Sequence, residues 1–335
     1  MNNHSKRRRR KVSRPRKRAK EKARLSIIGA GRMGTVLGRA LKEAGYTIAV
    51  VVTNHNRSAK DSARLIGQDT LALTAQSLMR LSNGEADRLL GSDVLLISTP
   101  DDAIVPMAKS LSEFFAGQLP RSKHDRARIA LHTSGALSSH VLEPLRRIGF
   151  ATGSMHPLVS IADKNSDPRS FLGGFFCIEG EQAAVTTARS ISRALGGRDF
   201  QIDLGSKPLY HAAAVLTAGH VVSLFDVALE MLGECGLSSR QAQAVLLPLL
   251  KSTVANLEMG NPAQALTGTF ARADVTTVRR HLEAIRSSGL EEALAAYVLL
   301  GRHSLRLAKR RIVNPEVASK IEDLLLQNPG GRAKS

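Results

Sequence analysis

Short, nearly unbroken apolar runs alternate with amphipathic stretches through the first 204 residues. Leu25–Ile28, Ile48–Val52 and Asp93–Ser98 are such runs. A run without polar alternation marks a strand buried on both faces, as in a parallel sheet. Thr70–Leu73, Ala127–Leu131 and Ala151–Met155 carry weaker strand signals. Thr35–Ala44 has helical spacing and ends at Gly45, a helix stop. Phe175–Ile178, a helix through Ala194 and Phe200–Ile202 predict one further β-α-β unit. Strands that alternate with helices imply a parallel sheet covered on both faces. After Leu204 the strand signals stop. From Lys207 to Leu326 the pattern is helical, with breaks at Gly236, Gly260-Asn261-Pro262, Gly268, Ser287–Gly289 and Asn314-Pro315. The expected fold is therefore α/β: an N-terminal doubly wound parallel sheet over 24–204, then a mainly α-helical domain over 205–326. A basic disordered tail over 1–23 precedes them, and a flexible C-terminus over 327–335 follows.

Composition narrows the class. A chain of 335 residues suits two domains, each with a real core. Its two cysteines, Cys177 and Cys235, form no disulfide framework and no zinc-ligand spacing. They point to a reducing cytoplasmic setting and to no metal. The most apolar segment, Ala212–Leu232, is interrupted by His220 and Asp226 and falls short of an uninterrupted membrane-length run of roughly 18 residues. It reads as a buried core helix, and no membrane span is expected. The formal charge of +19 is uneven, because residues 1–24 hold 13 Lys or Arg against one acid, Glu21. Such a tail cannot build a core. It would make at most a weak, salt-dependent contact with nucleic acid or an acidic surface, and it carries no aromatic residue to stack on bases. The polar stretch Pro120–Arg128 reads as a solvated loop.

The first strand runs straight into Gly29-Ala30-Gly31-Arg32-Met33-Gly34, and an apolar helix follows. In this context the GxGxxG spacing is the phosphate loop of a Rossmann dinucleotide site. The first glycine makes the turn, the second lets the backbone approach the pyrophosphate, and the third lets helix pack on strand. Free N–H groups of the helix start face the phosphates. The second strand ends Val52-Thr53-Asn54-His55-Asn56-Arg57-Ser58, with no acid before Asp61. An NAD site usually places an acid there for the ribose 2′-hydroxyl. Asn54, Arg57 and Ser58 instead suit a 2′-phosphate, so NADP(H) is the expected cofactor.

In open parallel sheets ligands lie beyond the carboxyl ends of the strands. Thr99 and Pro100 stand there and are expected to touch the cofactor. His132, Ser134, Gly135 and His156 follow at the ends of the next strands, with Asp101 or Asp102 available to cap a helix. His132, Gly135 and His156 are candidate substrate contacts, and Ser134 is a candidate catalytic group. Lys207 and His211 are four residues apart and share a helix face. Both are candidate catalytic groups, since hydride addition leaves an alkoxide or amine that needs a proton donor.

The segments IIGAGRMG, ISTPDDAI, LHTSGALSS, GSMHPLVSI, KPLYHAAAV and LTGTFARADVTTVRRHL occur in this order over about 24–285. With them the chain resembles the Rossmann-like proteins that carry the DUF2520 domain, relatives of β-hydroxyacid dehydrogenases, ketopantoate reductase and pyrroline-5-carboxylate reductase. The resemblance implies that the helical domain forms a homodimer and closes the active-site cleft. In the hydroxyacid dehydrogenases a lysine followed four residues later by asparagine does the acid-base and orienting work. Lys207 matches that lysine, and His211 stands where the asparagine would be. Gly219 replaces another frequent asparagine, and the segment resembling GPxxRGD reads Gly268–Asp274 and keeps Arg272 and Asp274, which could form an inter-helix ion pair or contact substrate. The long basic leader is not a feature of the family.

The expected function is an NADP(H)-dependent oxidoreductase that reduces a small keto or imino acid, with ketopantoate one candidate. The alternative is a non-catalytic NADP(H)-binding sensor whose basic tail contacts nucleic acid.

Overall fold

The computed structural model describes residues 22–116, 118, 127–309 and 315–328. The basic stretch over 1–21, most of the loop expected at Pro120–Arg128 and the end of the C-terminus lie outside the described residues. Two compact units divide the chain, Met1–Ala214 and Val215–Ser335.

The first unit runs β1 (Arg24–Ile28), α1 (Arg32–Glu43), β2 (Thr47–Thr53), α2 (Asn56–Ile66), β3 (Leu71–Thr74), α3 (Asn83–Leu90), β4 (Val94–Ile97), α4 (Asp101–Ala116), β5 (Ile129–His132), α5 (Glu143–Arg146), β6 (Ala151–Leu158), β7 (Phe175–Gly180), α6 (Gln182–Ala194), β8 (Arg198–Phe200) and the start of α7 (Lys207–Thr217). The eight strands form one sheet in the order β3-β2-β1-β4-β5-β6-β7-β8. Successive strand residues face opposite layers. Ile27, Val51 and Leu96 join the cluster that includes α1 and α6, whereas Ile28, Val52 and Leu95 join the one that includes α3 and α4. Both faces are dry, which is why the strands read as continuous apolar runs.

One pairing departs from the parallel sheet expected. β6 and β7 are antiparallel, with Met155 opposite Ile178 and His156 opposite Cys177. The link between them holds only a short 3-10 turn, Pro168–Phe171, among its regular structure. A parallel neighbour needs a crossover long enough to return the chain to its starting edge, usually a helix. The same pairing carries β6 three residues past Met155 and puts His156 on a strand.

The second unit contains α8 (Gly219–Glu234), α9 (Ser239–Met259), α10 (Pro262–Ala265), α11 (Gly268–Ala271), α12 (Val275–Ser287), α13 (Glu291–Ala308) and α14 (Pro315–Leu326). Its core is built from α12, α13 and α14, with Val278, Leu282, Ile285, Leu294, Val298, Leu305 and Ile321. Ala212–Leu232 is not the buried core helix its composition suggested. The chain breaks at Ala218, and α8 buries no residue, although Val227 and Met231 lean on the core. Most of the apolar surface of α8 stays outside the core. By length and composition alone, Leu204–Glu234 is long and apolar enough to cross a membrane. Of the two roles open to Arg272 and Asp274, the ion pair does not form among the described residues. The Asp274 carboxylate accepts from Thr277 N at 3.0 Å and Thr277 Oγ1 at 2.7 Å and so caps α12.

Candidate active site

The order of β1, β2, β3 and β4 reverses direction between β1 and β4, where an open α/β sheet forms its ligand crevice. A cavity of about 190 Å³ lies there, walled by the glycine loop, the end of β2 and the end of β4. Gly29 has φ +90° and donates from N to Val52 O at 2.8 Å, and a Cβ on it would stand 2.6 Å from Thr99 N. Only glycine combines that backbone with that contact. A Cβ on Gly34 would stand 2.7 Å from Gly29 O, so the third glycine sets how closely α1 meets the loop. No side chain caps α1 and no acid lies in its first turn. Its free N–H groups and partial positive charge suit an anion.

Of the residues expected at the cofactor, Gly29, Ala30, Gly31, Asn54, Ser58, Thr99 and Pro100 line this cavity. Gly34 is buried beneath it. Arg32 is exposed and donates to Ala162 O at 3.4 Å. The Met33 side chain is partly buried and packs against the core. Arg57 is exposed at the start of α2 and does not line the cavity. A cation the sequence did not single out touches Ser58, a residue of the cavity wall. Lys164, in the loop after β6, donates to Ser58 Oγ at 2.8 Å and to Ser62 Oγ at 3.0 Å.

Polar groups gather at the ends of β4, β5 and β6. Thr133 Oγ1 donates to Ser98 Oγ at 3.1 Å and joins the β4 end to the β5 end. Ser134 is occupied by its own turn, since its Oγ accepts from Ala136 N at 3.2 Å and Leu137 N at 3.0 Å. This is a structural use of the hydroxyl expected to be catalytic. His132 Nδ1 accepts from Ser134 N at 3.2 Å, and its Nε2 is buried with no hydrogen-bond partner among the described residues. Burial, then the nearby Lys207 charge, holds the His132 imidazole down at about 3, so it is neutral.

Gly135 faces two imidazoles. A Cβ there would collide with His211 Nδ1 and lie 2.9 Å from the His156 ring. The rings of His156 and His211 meet edge-on at 5.4 Å. His156 Nδ1 is 2.7 Å from the Tyr210 hydroxyl, whereas His211 Nδ1 is buried without a partner among the described residues. Burial first, then His211 and Lys207, lowers His156 to about 4. Burial raises the Tyr210 phenol far above its usual value, and the adjoining Cys177 adds to this. At neutral pH these groups are therefore an uncharged imidazole and a protonated phenol in direct contact.

Lys207 lies behind this cluster, fully buried. Its Nζ donates to Ser154 Oγ at 2.6 Å and to Glu179 Oε1 at 3.5 Å. Glu179 in turn accepts from Ser139 N and Ser139 Oγ, each at 2.7 Å. Desolvation lowers the Lys207 ammonium, and Glu179 opposes that shift. Lys207 and His211 do share a helix, but only His211 presents an unpaired atom beside Gly135. Tyr210, Ser154 and Glu179 escaped the sequence reading. Glu179 is the one acid in the strand FFCIEG, a signal that was present but unspecific.

The chain matches the model of the Rossmann-like domain over residues 12–157 and that of DUF2520, a domain of unknown function, over 174–304. No curated protein matches it in sequence. Among solved structures it is similar to a candidate NADP oxidoreductase from Bacteroides fragilis, with 22% identity, a TM-score of 0.67, and 85% of this chain and 99% of that one covered. A Thermotoga maritima protein gives 19% identity and a TM-score of 0.64 over 85% and 99%. Pyrroline carboxylate reductase from Plasmodium falciparum, solved with NADP bound, gives 12% and 0.51 over 87% and 100%. These likenesses establish a shared fold.

Proposed function

We propose that the chain, which matches the Rossmann-like and DUF2520 domain models, is an NADP(H)-dependent oxidoreductase that reduces a small keto or imino acid. The observation that carries this reading is the imidazole and phenol cluster around Gly135, set at the same strand ends as a glycine-loop cleft. A site that only held a dinucleotide would need the cleft and not the cluster. The likeness to the B. fragilis NADP oxidoreductase and to the P. falciparum reductase solved with NADP bound supports the cofactor class.

The glycine cradle and uncapped helix fit a pyrophosphate, with Gly29, Ala30, Gly31, Asn54, Ser58, Thr99 and Pro100 as the holding residues. Bound there, the nicotinamide cofactor supplies hydride to the substrate carbon. The chain's own part is to place the substrate and deliver a proton. His211 and the His156–Tyr210 pair border the space that Gly135 leaves open, and Tyr210 can pass a proton through the neutral His156 ring while taking one up from solvent, so that no phenolate is left. Lys207 stays behind them as a positive charge that favours an anionic substrate or a developing alkoxide. His132, whose Nε2 has no protein partner among the described residues, is a further substrate contact.

The same reading makes the protein a homodimer through its second unit, whose α8 has no fully buried residue within the single chain. The deciding experiment is NADPH oxidation followed optically against ketopantoate, other small 2-keto acids, β-keto acids and cyclic imines. Turnover of one class supports the proposal, and binding of NADPH without turnover of any of them favours a sensor.

A further inference from the structure

We infer that Lys164 is the residue that selects for a phosphate on the adenosine ribose of the cofactor, the role that the sequence pattern assigned to Arg57. The inference rests on the cofactor reading above. Its basis is a lysine bonded to a hydroxyl of the cleft wall, with no carboxylate partner among the described residues.

Lys164 is half-buried, and its ammonium touches two hydroxyls, Ser58 Oγ at 2.8 Å and Ser62 Oγ at 3.0 Å. No ion pair joins it to a carboxylate among the described residues. The adjacent acid, Asp163, is turned to Asn165, accepting from Asn165 N at 2.7 Å and Asn165 Nδ2 at 2.8 Å. A long, flexible side chain loses rotamer freedom when it is fixed, and two neutral hydroxyls repay that loss poorly. An anion at the same place would repay it better.

The position is the one where such an anion would arrive. Ser58 and Asn54 line the cleft just beyond the end of β2, where Rossmann proteins meet the ribose hydroxyls. The loop that carries Lys164 is fixed there. Arg39 Nη1 donates to Lys164 O at 3.1 Å and to Ser166 O at 2.8 Å, and Arg32 reaches Ala162 O. Two arginines of α1 thus hold the loop by its carbonyls and leave the ammonium turned to α2. Ser62 Oγ also donates to Ala30 O at 2.9 Å, which ties the lysine's second partner to the glycine loop itself. Arg57 has the charge but none of this placement.

The test compares adenosine 2′,5′-bisphosphate with adenosine 5′-monophosphate, and NADPH with NADH, by calorimetry on the full chain. The proteins are the wild type, Lys164→Ala, Lys164→Gln, Lys164→Arg and Arg57→Ala. Removing one charged hydrogen bond should weaken the two 2′-phosphorylated ligands about 10- to 100-fold in Lys164→Ala and Lys164→Gln. The unphosphorylated pair should stay within about 2-fold. Lys164→Arg should keep most of the discrimination, and Arg57→Ala should change it less than Lys164→Ala. A lysine that only braces its loop would weaken all four ligands alike, and that result overturns the inference, as does an unchanged ratio in Lys164→Ala. A wild type that binds NADPH no better than NADH also overturns it while leaving the dinucleotide reading intact. A wild type that binds neither removes both.

Discussion

The ammonium of Lys207 lies 3.5 Å from the carboxylate of Glu179, and both side chains are at least 95% buried. Glu179 is further tied to Ser139, and Lys207 to Ser154. Breaking one half of a buried pair strands the other charge, which costs about 3–5 kcal/mol. Glu179→Ala should therefore lower the unfolding free energy by that order in urea titrations. The double variant Glu179→Gln with Lys207→Met should recover much of the loss. A loss below about 1 kcal/mol in Glu179→Ala would mean that Lys207 is neutral in the folded protein.

The same pair separates two roles for Lys207. If its charge supports the reaction, Lys207→Met should cut kcat by roughly 10²-fold while NADPH affinity holds. The thermal midpoint measured alongside shows whether the loss follows stability. A variant that turns over at the wild-type rate would leave Lys207 as a core ion pair only.

Gly135→Ala tests the imidazole cluster from the other side. The added methyl has no room between His211 Nδ1 and the His156 ring. The rings must move, so turnover should drop by an order of magnitude or more, with a stability cost of about 1–3 kcal/mol from overpacking. NADPH affinity should stay nearly constant, because Gly135 is not among the residues of the glycine-loop cavity. Equal losses in cofactor binding and turnover would show that the two sites are not separable.

Much of this was legible in the sequence, and the limits have physical causes. Strands buried on both faces announce themselves as apolar runs, so β1, β2 and β4 were readable nearly residue by residue. The glycine loop was legible because its spacing answers backbone geometry. The antiparallel turn of β7 was not, since it depends on the lack of a crossover helix and not on any residue within the strand. His156, Gly135 and His211 carry chemistry that draws attention in any context. Glu179 and Lys164 do not, because their meaning comes from partners 28 and 106 positions away, Lys207 and Ser58. Met33 and Arg57 sit at the right distance from a motif, but their side chains do not line its cavity.

Acid should weaken the fold through His156. Its imidazole is held at about 4 against an ordinary 6.5, so the folded state resists a proton that the unfolded chain accepts. The effect is absent above pH 6.5, grows as the pH falls from about 6.5 to about 4, and levels off below that. Its full size is on the order of 3 kcal/mol. Carboxylates such as Glu143 and Glu181, whose folded values are lowered, add their own loss at more acid pH, so the comparison must be with His156→Gln. The difference in unfolding free energy between the wild type and this variant should shift in the variant's favour by that amount between pH 7 and pH 4. A pH-independent difference would show that His156 takes up a proton freely in the folded protein.

Self-association should pass through the second unit. Val222 in α8 is 70% exposed, and Leu249 and Met259 in α9 are 64% and 89% exposed. Monomeric proteins rarely leave so many large apolar side chains in water, and a second copy would cover them symmetrically. Light scattering after size exclusion at micromolar concentration should give twice the chain mass. Val222→Glu and Leu249→Glu each place a charge on the covered face and should shift the population to monomer, whereas the exposed Arg57→Ala should leave it dimeric. A wild-type monomer under these conditions contradicts the dimer. Recovery of the wild type in membranes, with the two glutamate variants in the soluble fraction, would instead assign the same apolar surface to lipid.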